Sequence, residues 1–203
     1  RMIFHTFQDT DAPTRAVLGL HGWTGDEFSM ESIAKSVSSN STKWFMPRAP
    51  YDADTGDGYT WFSGSDEAGW KYDKTVEMMP TILGNIAADG FTPDHTFIVG
   101  FSMGAGLAIL TGCRLPYAIG GIVPIAGFVK NPDHLIANMT ESSLATPILM
   151  MQGKRDKIVT PEIAKETVDL LKGLGYSVCY ETYDAAHSIP KMAMPAIRKF
   201  LER

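Results

Sequence analysis

An alternation of continuous apolar runs with segments of helical period constrains the fold of this chain more than any other feature. Six runs are predicted to be strands, at residues 16–20, 43–46, 96–101, 119–125, 148–152 and 178–183. Most of them are continuously apolar, which is typical of strands buried on both faces. The segments between them keep their apolar residues on one helical face. The pattern therefore predicts an α/β protein with a mostly parallel central sheet and helices on both faces.

Prolines and one hydroxyl cap refine the predicted helices. Thr160 stands directly before Pro161, which predicts a helix that begins at residue 161. Pro195 lies inside the apolar segment 189–201, so we expect either a kink or a late helix start there. Pro80 raises the same question within residues 73–88.

Residues 47–72 depart from this alternation. The segment is rich in glycine, aspartate and aromatic residues. Loops of this length are usually functional or disordered, and disordered segments contain few aromatics, so an ordered, packed loop is predicted. Its charged residues give it a net charge of about −3. We expect the loop to border the functional site and to disfavour anionic substrates such as CoA thioesters.

The length and charge of the chain limit its organisation and its partners. Its 203 residues contain no internal repeat, low-complexity tract or linker, which predicts a single domain over residues 1–203. The formal net charge of −5, without a basic run, disfavours nucleic-acid binding. The longest nearly apolar stretch, residues 118–128, is far shorter than the roughly 20 residues that span a bilayer, so stable membrane insertion is not expected. The sequence leaves open whether the chain forms a homodimer.

Cysteine usage and the N-terminal residues point to a cytoplasmic protein. Cys113 and Cys179, the two cysteines, lie in apolar contexts and are predicted to be buried thiols rather than a redox or zinc site. The first residues lack the long apolar region of a signal peptide. We therefore expect a reducing, cytoplasmic environment.

A G-x-S-x-G pentapeptide, residues 100–104, is the first element that carries chemistry. It follows a predicted strand and opens an apolar helical segment, the setting in which a nucleophilic serine occupies a sharp turn. Side chains at Gly100 and Gly104 would clash in such a turn, and Ser102 is expected in strained dihedrals with its hydroxyl exposed. Ser102 is therefore the candidate nucleophile.

Two later residues supply a base and an acid. Asp156 follows the predicted strand 148–152, and His187 follows the predicted strand 178–183. Residues after the carboxyl ends of parallel strands share one edge of the sheet, so Ser102 and these two residues are expected to meet there. A serine hydroxyl needs a base that an acid orients, which predicts a Ser102, Asp156, His187 triad. Asp184 is the rival acid, but it precedes His187 by only three residues in the same loop.

The segment Leu20-His21-Gly22-Trp23 ends the first predicted strand. A strand that ends in His-Gly places backbone N–H groups beside the nucleophile. The N–H groups of Trp23 and Met103 are predicted to form an oxyanion hole. His21 is expected to organise this loop by hydrogen bonding rather than to titrate in catalysis.

Taken in order, these motifs resemble the phospholipase/carboxylesterase family of α/β hydrolases, which includes acyl-protein thioesterases and small bacterial esterases. The resemblance rests on LHGWTGDE, FMPRAP, Trp61-Phe62, GFSMG, QGKRDKIV and AAHS. It implies an α/β-hydrolase fold, with the triad and oxyanion hole on the residues already named and no large lid. Met103 stands where thioesterase members commonly carry glutamine, so a carboxylesterase is favoured over an acyl-protein thioesterase.

Aromatic and apolar residues near these motifs predict the substrate pocket. Trp61, Phe62, Phe128 and Val159 are expected to bind an acyl chain, because such sites are apolar concavities with few polar groups. No metal or organic cofactor is predicted, since the sequence has no HExxH, no clustered Cys and His, and no GxGxxG after the first strand.

The sequence thus predicts a carboxylesterase: a serine hydrolase that cleaves short to medium acyl carboxylic esters of small molecules through an acyl-enzyme intermediate. Acyl-protein thioesterase or lysophospholipase activity is the alternative, and a perhydrolase or amidase would use the same groups. A non-catalytic ligand-binding receptor with this fold is the hypothesis from a different class. The physiological substrate and its acyl length are not determined by the sequence.

Overall fold

A seven-stranded, mostly parallel sheet forms the centre of the protein. The computed structural model describes residues 1–37 and 39–203. The strands are β1 (Phe4–Gln8), β2 (Arg15–Leu20), β3 (Thr42–Pro47), β4 (Tyr51–Asp52), β5 (Tyr59–Thr60), β6 (Ser63–Ser65), β7 (Gly69–Lys71), β8 (Thr96–Phe101), β9 (Gly121–Ile125), β10 (Ile148–Gly153) and β11 (Val178–Tyr183). The α-helices are α1 (Glu31–Val37), α2 (Asp73–Ala88), α3 (Met103–Cys113), α4 (Pro132–Asn138), α5 (Pro161–Gly173) and α6 (Met194–Leu201).

The strand order in the main sheet is β1-β3-β2-β8-β9-β10-β11. Neighbouring strands from β3 to β11 are parallel, and only the edge strand β1 pairs antiparallel, with β3. All six predicted runs lie in this sheet, and those at 96–101 and 178–183 have the predicted bounds. The α/β class predicted from the alternation of elements is confirmed.

The two edge strands are covered less completely than the centre of the sheet. Strand β1 was not predicted, because its residues alternate between exposed and half-buried and lack a continuous apolar run. Strand β11 was predicted correctly, but most of its residues are at least partly exposed. Cys179 lies on this strand and is exposed, so its predicted burial is wrong, whereas Cys113 in α3 is buried as predicted.

Helices cover both faces of the sheet. On one face, residues of α2, α3 and α5 pack on strand residues such as Leu18, Ile98 and Ile122. On the other face, α1 and α6 pack on the neighbouring strand residues Val17 and Val123. Successive strand residues point to opposite faces, so the continuous apolar runs supply both cores. The described residues include no helix with the length and apolarity needed to cross a bilayer.

The prolines act at the helix positions that the sequence singled out. Thr160 caps α5 by accepting a hydrogen bond from the N–H of Ile163, with Pro161 in the first turn. Helix α6 begins only at Met194, with Pro195 in its first turn, which confirms a late start. Helix α2 continues through Pro80. Pro80 is exposed, and its ring removes one backbone hydrogen bond without ending the helix.

The segment 47–72 is ordered, as predicted. It contains two small antiparallel hairpins, β4–β5 and β6–β7. The side chain of Trp61 between them has no exposed surface, and Thr75 in α2 donates a hydrogen bond to its carbonyl at 2.6 Å. These contacts fasten the segment to the sheet and to α2.

Candidate active site

Ser102, Asp156 and His187 all follow the carboxyl ends of strands in the main sheet. Ser102 lies between β8 and α3, Asp156 follows β10, and His187 follows β11. In parallel sheets these strand ends meet at one edge, where ligands bind. The topology therefore brings the three candidate residues to the same side of the molecule.

The turn at Ser102 is tight and depends on glycine. Ser102 has a φ of 56°, in the left-handed region that residues with side chains rarely occupy. A Cβ atom on Gly100 would lie 2.1 Å from the carbonyl oxygen of Gly104, and one on Gly104 would lie 2.2 Å from that of Leu20. Side chains at both positions are therefore excluded, as the pentapeptide predicted, and the turn holds Ser102 between strand and helix.

Asp156 and His187 form a direct hydrogen bond. Nδ1 of His187 lies 2.7 Å from Oδ2 of Asp156, whose side chain has no exposed surface. The other oxygen, Oδ1, accepts hydrogen bonds from the backbone N–H groups of Ile158 and Val159 at 2.9 and 3.0 Å. Because both oxygens are occupied, the carboxylate is fixed in orientation and one of its oxygens faces the imidazole.

The loops that carry Asp156 and His187 are packed against each other. A Cβ atom on Gly153 would lie 2.4 Å from the carbonyl oxygen of Ala186, so this crossing requires glycine. The hydroxyl of Tyr183 donates to the carbonyl of Ser188 at 2.8 Å, and burial raises the pKa of Tyr183 and keeps that donor protonated. This supporting role of Tyr183 was not predicted from the sequence.

His187 also lies beside the nucleophile turn. Its ring centroid is 4.8 Å from that of Phe101, the residue directly before Ser102. The side chain of His187 is about one-fifth exposed, so the imidazole is accessible at the sheet edge while Asp156 behind it is not. This arrangement suits a base that exchanges protons with a substrate.

Asp184, the rival acid, points away from this pair. Its side chain is 74% exposed and pairs with Nε of Arg155 at 2.8 Å. The hydrogen bond and charge of Arg155 hold the pKa of Asp184 below its usual value. Of the two candidate acids, only Asp156 is in contact with His187.

The backbone at Gly22 and Trp23 approaches Ser102 closely. A Cβ atom on Gly22 would lie 3.6 Å from Cβ of Ser102, an ordinary van der Waals distance, so this backbone lies directly beside the nucleophile turn. The side chain of Trp23 is half exposed. Met103 is the first residue of α3, where helix geometry leaves backbone N–H groups without partners inside the helix. Both predicted oxyanion donors thus belong to residues adjacent to the turn.

His21 organises the loop before Trp23, as expected. Its imidazole is 1% exposed and lies between two backbone groups, the carbonyl of Gly22 and the N–H of Ala49. The indole Nε1 of Trp61 donates to the carbonyl of His21 at 2.8 Å, and the two rings are 4.9 Å apart. His21 is therefore part of the support beneath the loop.

A large apolar groove of about 980 Å³ opens beside the candidate nucleophile. It lies between α2 and α3, and side chains of the β6–β7 hairpin also line it. Phe62, Phe128 and Met103 lie at the end near Ser102, and Leu110 and Leu115 line the part further along α3. The groove as a whole was not predicted, because the separation of its two helical walls depends on how α2 and α3 pack on the sheet.

Two residues predicted to bind substrate do not line the groove. Trp61 has no exposed surface, and its indole is used in the hydrogen bond to His21. Val159 is 4% exposed, and its backbone groups bond to Asp156 and Gln152. These two side chains are core residues beside the site, whereas Phe62 and Phe128 do line the groove.

The charge of the groove differs from the expectation of an acidic border. Of the acids in the segment 47–72, only Asp66 lines the groove. Its carboxylate accepts hydrogen bonds from Nε1 of Trp70 at 2.8 Å and from Nζ of Lys130 at 3.1 Å. These bonds lower the pKa of Asp66. Lys130 and Arg114 also line the groove. The geometry therefore gives no support to repulsion of anionic substrates by this loop.

A mostly parallel sheet flanked by helices, with a serine on a strained strand-to-helix turn and a histidine bonded to a buried carboxylate, defines the class of α/β hydrolases. Comparison with known proteins narrows the class. Residues 3–203 match the family model described as phospholipase/carboxylesterase. The chain belongs to this family and is an ester hydrolase of the serine type.

Individual proteins similar to this chain carry the names of esterases and thioesterases. The chain is 26% identical to carboxylesterase SOBER1 of Arabidopsis thaliana, over 92% of this chain and 89% of that protein. It is 29% identical to acyl-protein thioesterase 1 of Debaryomyces hansenii, over 92% of this chain and 90% of that protein. The crystal structure of esterase PE8 superposes with a TM-score of 0.84 and 23% identity, covering 100% of this chain and 98% of the other, and is similar in fold.

Proposed function

We propose that the protein is a carboxylesterase that cleaves short to medium acyl esters through an acyl-enzyme intermediate, with Ser102, Asp156 and His187 as its triad. The observation that carries the proposal is the 2.7 Å hydrogen bond between the fully buried Asp156 carboxylate and Nδ1 of His187, with that ring beside the Ser102 turn. A carboxylate in this position holds the proton on Nδ1 and leaves Nε2 free to accept one.

In the proposed reaction, the hydroxyl of Ser102 attacks the ester carbonyl carbon while Nε2 of His187 takes the hydroxyl proton. The tetrahedral oxyanion accepts hydrogen bonds from the backbone N–H groups of Trp23 and Met103. The C–O bond to the alcohol then breaks, and His187 returns its proton to the departing oxygen. Water repeats the two steps on the acyl-enzyme, which releases the acid and restores Ser102.

The groove beside Met103 is the proposed acyl subsite. Its lining is mostly apolar, and α3 runs along it for 11 residues, or about 16 Å at 1.5 Å per residue. An acyl chain of medium length would be removed from water along this path, while an acetyl group would occupy only the end near Ser102. Because the groove extends beyond a short chain, acyl-protein thioesterase or lysophospholipase activity is the second candidate.

The test is a substrate series with a matched inactive variant. Initial rates are measured on p-nitrophenyl esters from C2 to C12 and on an acyl thioester, with wild type and Ser102→Ala. A fluorophosphonate probe is added to both proteins. We expect ester turnover and labelling of wild type, and neither with Ser102→Ala. A folded wild type that remains unlabelled and hydrolyses none of the esters would refute the proposal, and a higher kcat/KM for the thioester would favour the second candidate.

A further inference from the structure

The imidazole of His21 is held in one protonation state by its neighbours. Nδ1 lies 2.6 Å from the carbonyl oxygen of Gly22, and Nε2 lies 3.0 Å from the backbone nitrogen of Ala49. A carbonyl oxygen can only accept a hydrogen bond and a backbone N–H can only donate one. The ring proton must therefore be on Nδ1, and Nε2 must be an acceptor, which requires a neutral ring.

The surroundings of His21 favour the neutral form. Burial is the main influence and lowers the pKa of His21, while the hydrogen bond to Gly22 and the charges of Asp26 and Glu27 oppose it. The Glu27 carboxylate is itself compensated by two hydrogen bonds of 2.7 Å from Arg48. Trp61 covers the ring at a centroid distance of 4.9 Å. At neutral pH, His21 is thus a fixed donor at Nδ1.

The Gly22 carbonyl, which accepts the hydrogen bond from His21, belongs to the same peptide group as the Trp23 N–H, the proposed oxyanion donor. The peptide bonds of the described residues are trans, so the Gly22 carbonyl and the Trp23 N–H point in opposite directions. A bond that holds the carbonyl therefore also sets the direction of the N–H. The Gly22 carbonyl accepts two hydrogen bonds, one from Nδ1 of His21 at 2.6 Å and one from the backbone N–H of Gly25 at 3.1 Å. Gly22 has no side chain to resist rotation of this peptide, so these bonds restrain it, and the shorter one comes from His21.

We propose that His21 is a positioning residue for the oxyanion hole: its Nδ1–H fixes the Gly22–Trp23 peptide so that the Trp23 N–H faces the oxyanion formed at Ser102. The inference rests on the proposed function, since it assigns a role in the same reaction. His21 does not touch the reacting atoms and acts only through the peptide plane. Loss of one oxyanion donor lowers kcat by about 10² to 10³, so loss of the His21 donor is expected to approach that range.

The effect should appear in kcat rather than in KM. The oxyanion forms after the substrate has bound, and a donor aimed at it stabilises the transition state more than the ground state. A role limited to packing would instead lower the amount or the stability of folded enzyme without a consistent change in kcat of the folded fraction.

Two isosteric variants separate the two hydrogen bonds of His21. In His21→Asn, the side-chain NH2 group takes the place of Nδ1 and can still donate to the Gly22 carbonyl. In His21→Gln, the side-chain oxygen takes the place of Nε2 and can still accept from Ala49, but the donor to Gly22 is lost. Both variants lose the ring and its contact with Trp61, and because Asn is one methylene smaller than Gln, the packing cost of each is measured separately by urea unfolding.

Steady-state kinetics on one p-nitrophenyl ester, urea unfolding and crystal structures are measured for wild type and both variants. We expect His21→Gln to lose 10² or more in kcat with KM within about threefold, and His21→Asn to retain at least a tenth of the wild-type kcat. In the His21→Gln structure, the Gly22–Trp23 peptide should be rotated or in two orientations.

A kcat for His21→Gln within threefold of wild type, or equal losses in both variants that follow their stability, would overturn the inference. If wild type hydrolyses no ester, the proposed function fails separately. The structures then still decide the inference about His21, because an unchanged peptide orientation in His21→Gln contradicts it.

Discussion

Replacement of Asp156 by asparagine tests the proposed triad most directly. Oδ1 of Asp156 accepts two backbone N–H groups, and Oδ2 faces Nδ1 of His187 at 2.7 Å. In Asp156→Asn, the amide oxygen must take the Oδ1 position, because an NH2 group there would oppose two donors. The NH2 group then faces His187 and forces its proton from Nδ1 to Nε2. In that tautomer, Nε2 cannot accept the proton of Ser102.

The expected loss of kcat in Asp156→Asn follows from the incorrect tautomer of His187. An incorrect histidine tautomer in a triad lowers kcat by about 10⁴, which corresponds to about 5.5 kcal/mol of transition-state stabilisation. The buried hydrogen bonds to Ile158 and Val159 are retained, so we expect the melting temperature to change by only a few degrees. The loss of rate should therefore occur in a folded enzyme.

Asp184→Asn is the matched control. Asp184 is exposed and pairs only with Arg155, and surface ion pairs of this kind contribute about 0–1 kcal/mol to stability. We expect its kcat/KM to stay within twofold of wild type. The assay is p-nitrophenyl ester hydrolysis with thermal unfolding on the same samples. The reasoning is refuted if Asp156→Asn retains more than a tenth of the wild-type rate, or if Asp184→Asn loses more than Asp156→Asn.

Three further predictions concern the groove, the thiols and pH. Leu110→Trp should fill part of the groove, so kcat/KM should fall at least tenfold for C8 to C12 esters and stay within twofold for the C2 ester; an equal fall across the series would contradict the acyl subsite. Cys179 is exposed, whereas burial raises the pKa of Cys113 to about 11, so a thiol reagent should modify one cysteine in the native protein and a second only in denaturant. Because the pKa of His21 is lowered by folding, the unfolded state binds more protons, and the free energy of unfolding should fall as pH drops below about 6.5, by up to about 1.4 kcal/mol per pH unit relative to His21→Gln. Urea unfolding between pH 7.5 and 5 measures this difference, and equal slopes for the two proteins would contradict it.

Local sequence patterns were sufficient for the elements that have a local cause. The strands at 96–101 and 178–183 have the predicted bounds. The first is buried and has the continuous apolar run that a buried strand needs, and the second is rich in β-branched and aromatic residues. Thr160 with Pro161 marked the start of α5, and the glycines around Ser102 marked the strained turn, because caps and tight turns depend on the conformational preferences of a few adjacent residues. Strand β1 escaped notice because an edge strand needs no such run.

Local sequence patterns could not predict which aromatic residues line the groove. Trp61 and Phe62 are adjacent aromatic residues, yet Trp61 is buried beneath the loop and Phe62 lines the groove. The partner that separates them, the His21 carbonyl bonded to the Trp61 indole N–H, lies 40 positions earlier in the chain. The same holds for Asp66, whose charge is compensated by Lys130, a residue 64 positions later in the chain.

By itself, the sequence determined the alternation of the central strands with helices, the turn at Ser102 and the edge of the sheet at which Asp156 and His187 would appear, because each depends on periodicity or on a few neighbouring residues. Only the tertiary structure showed that the Asp156 carboxylate faces His187 while Asp184 faces Arg155, that the groove lies between α2 and α3, and that Nδ1 of His21 lies against the Gly22 carbonyl. These features depend on the direction of side chains from distant segments, and that direction is set only when the segments pack together.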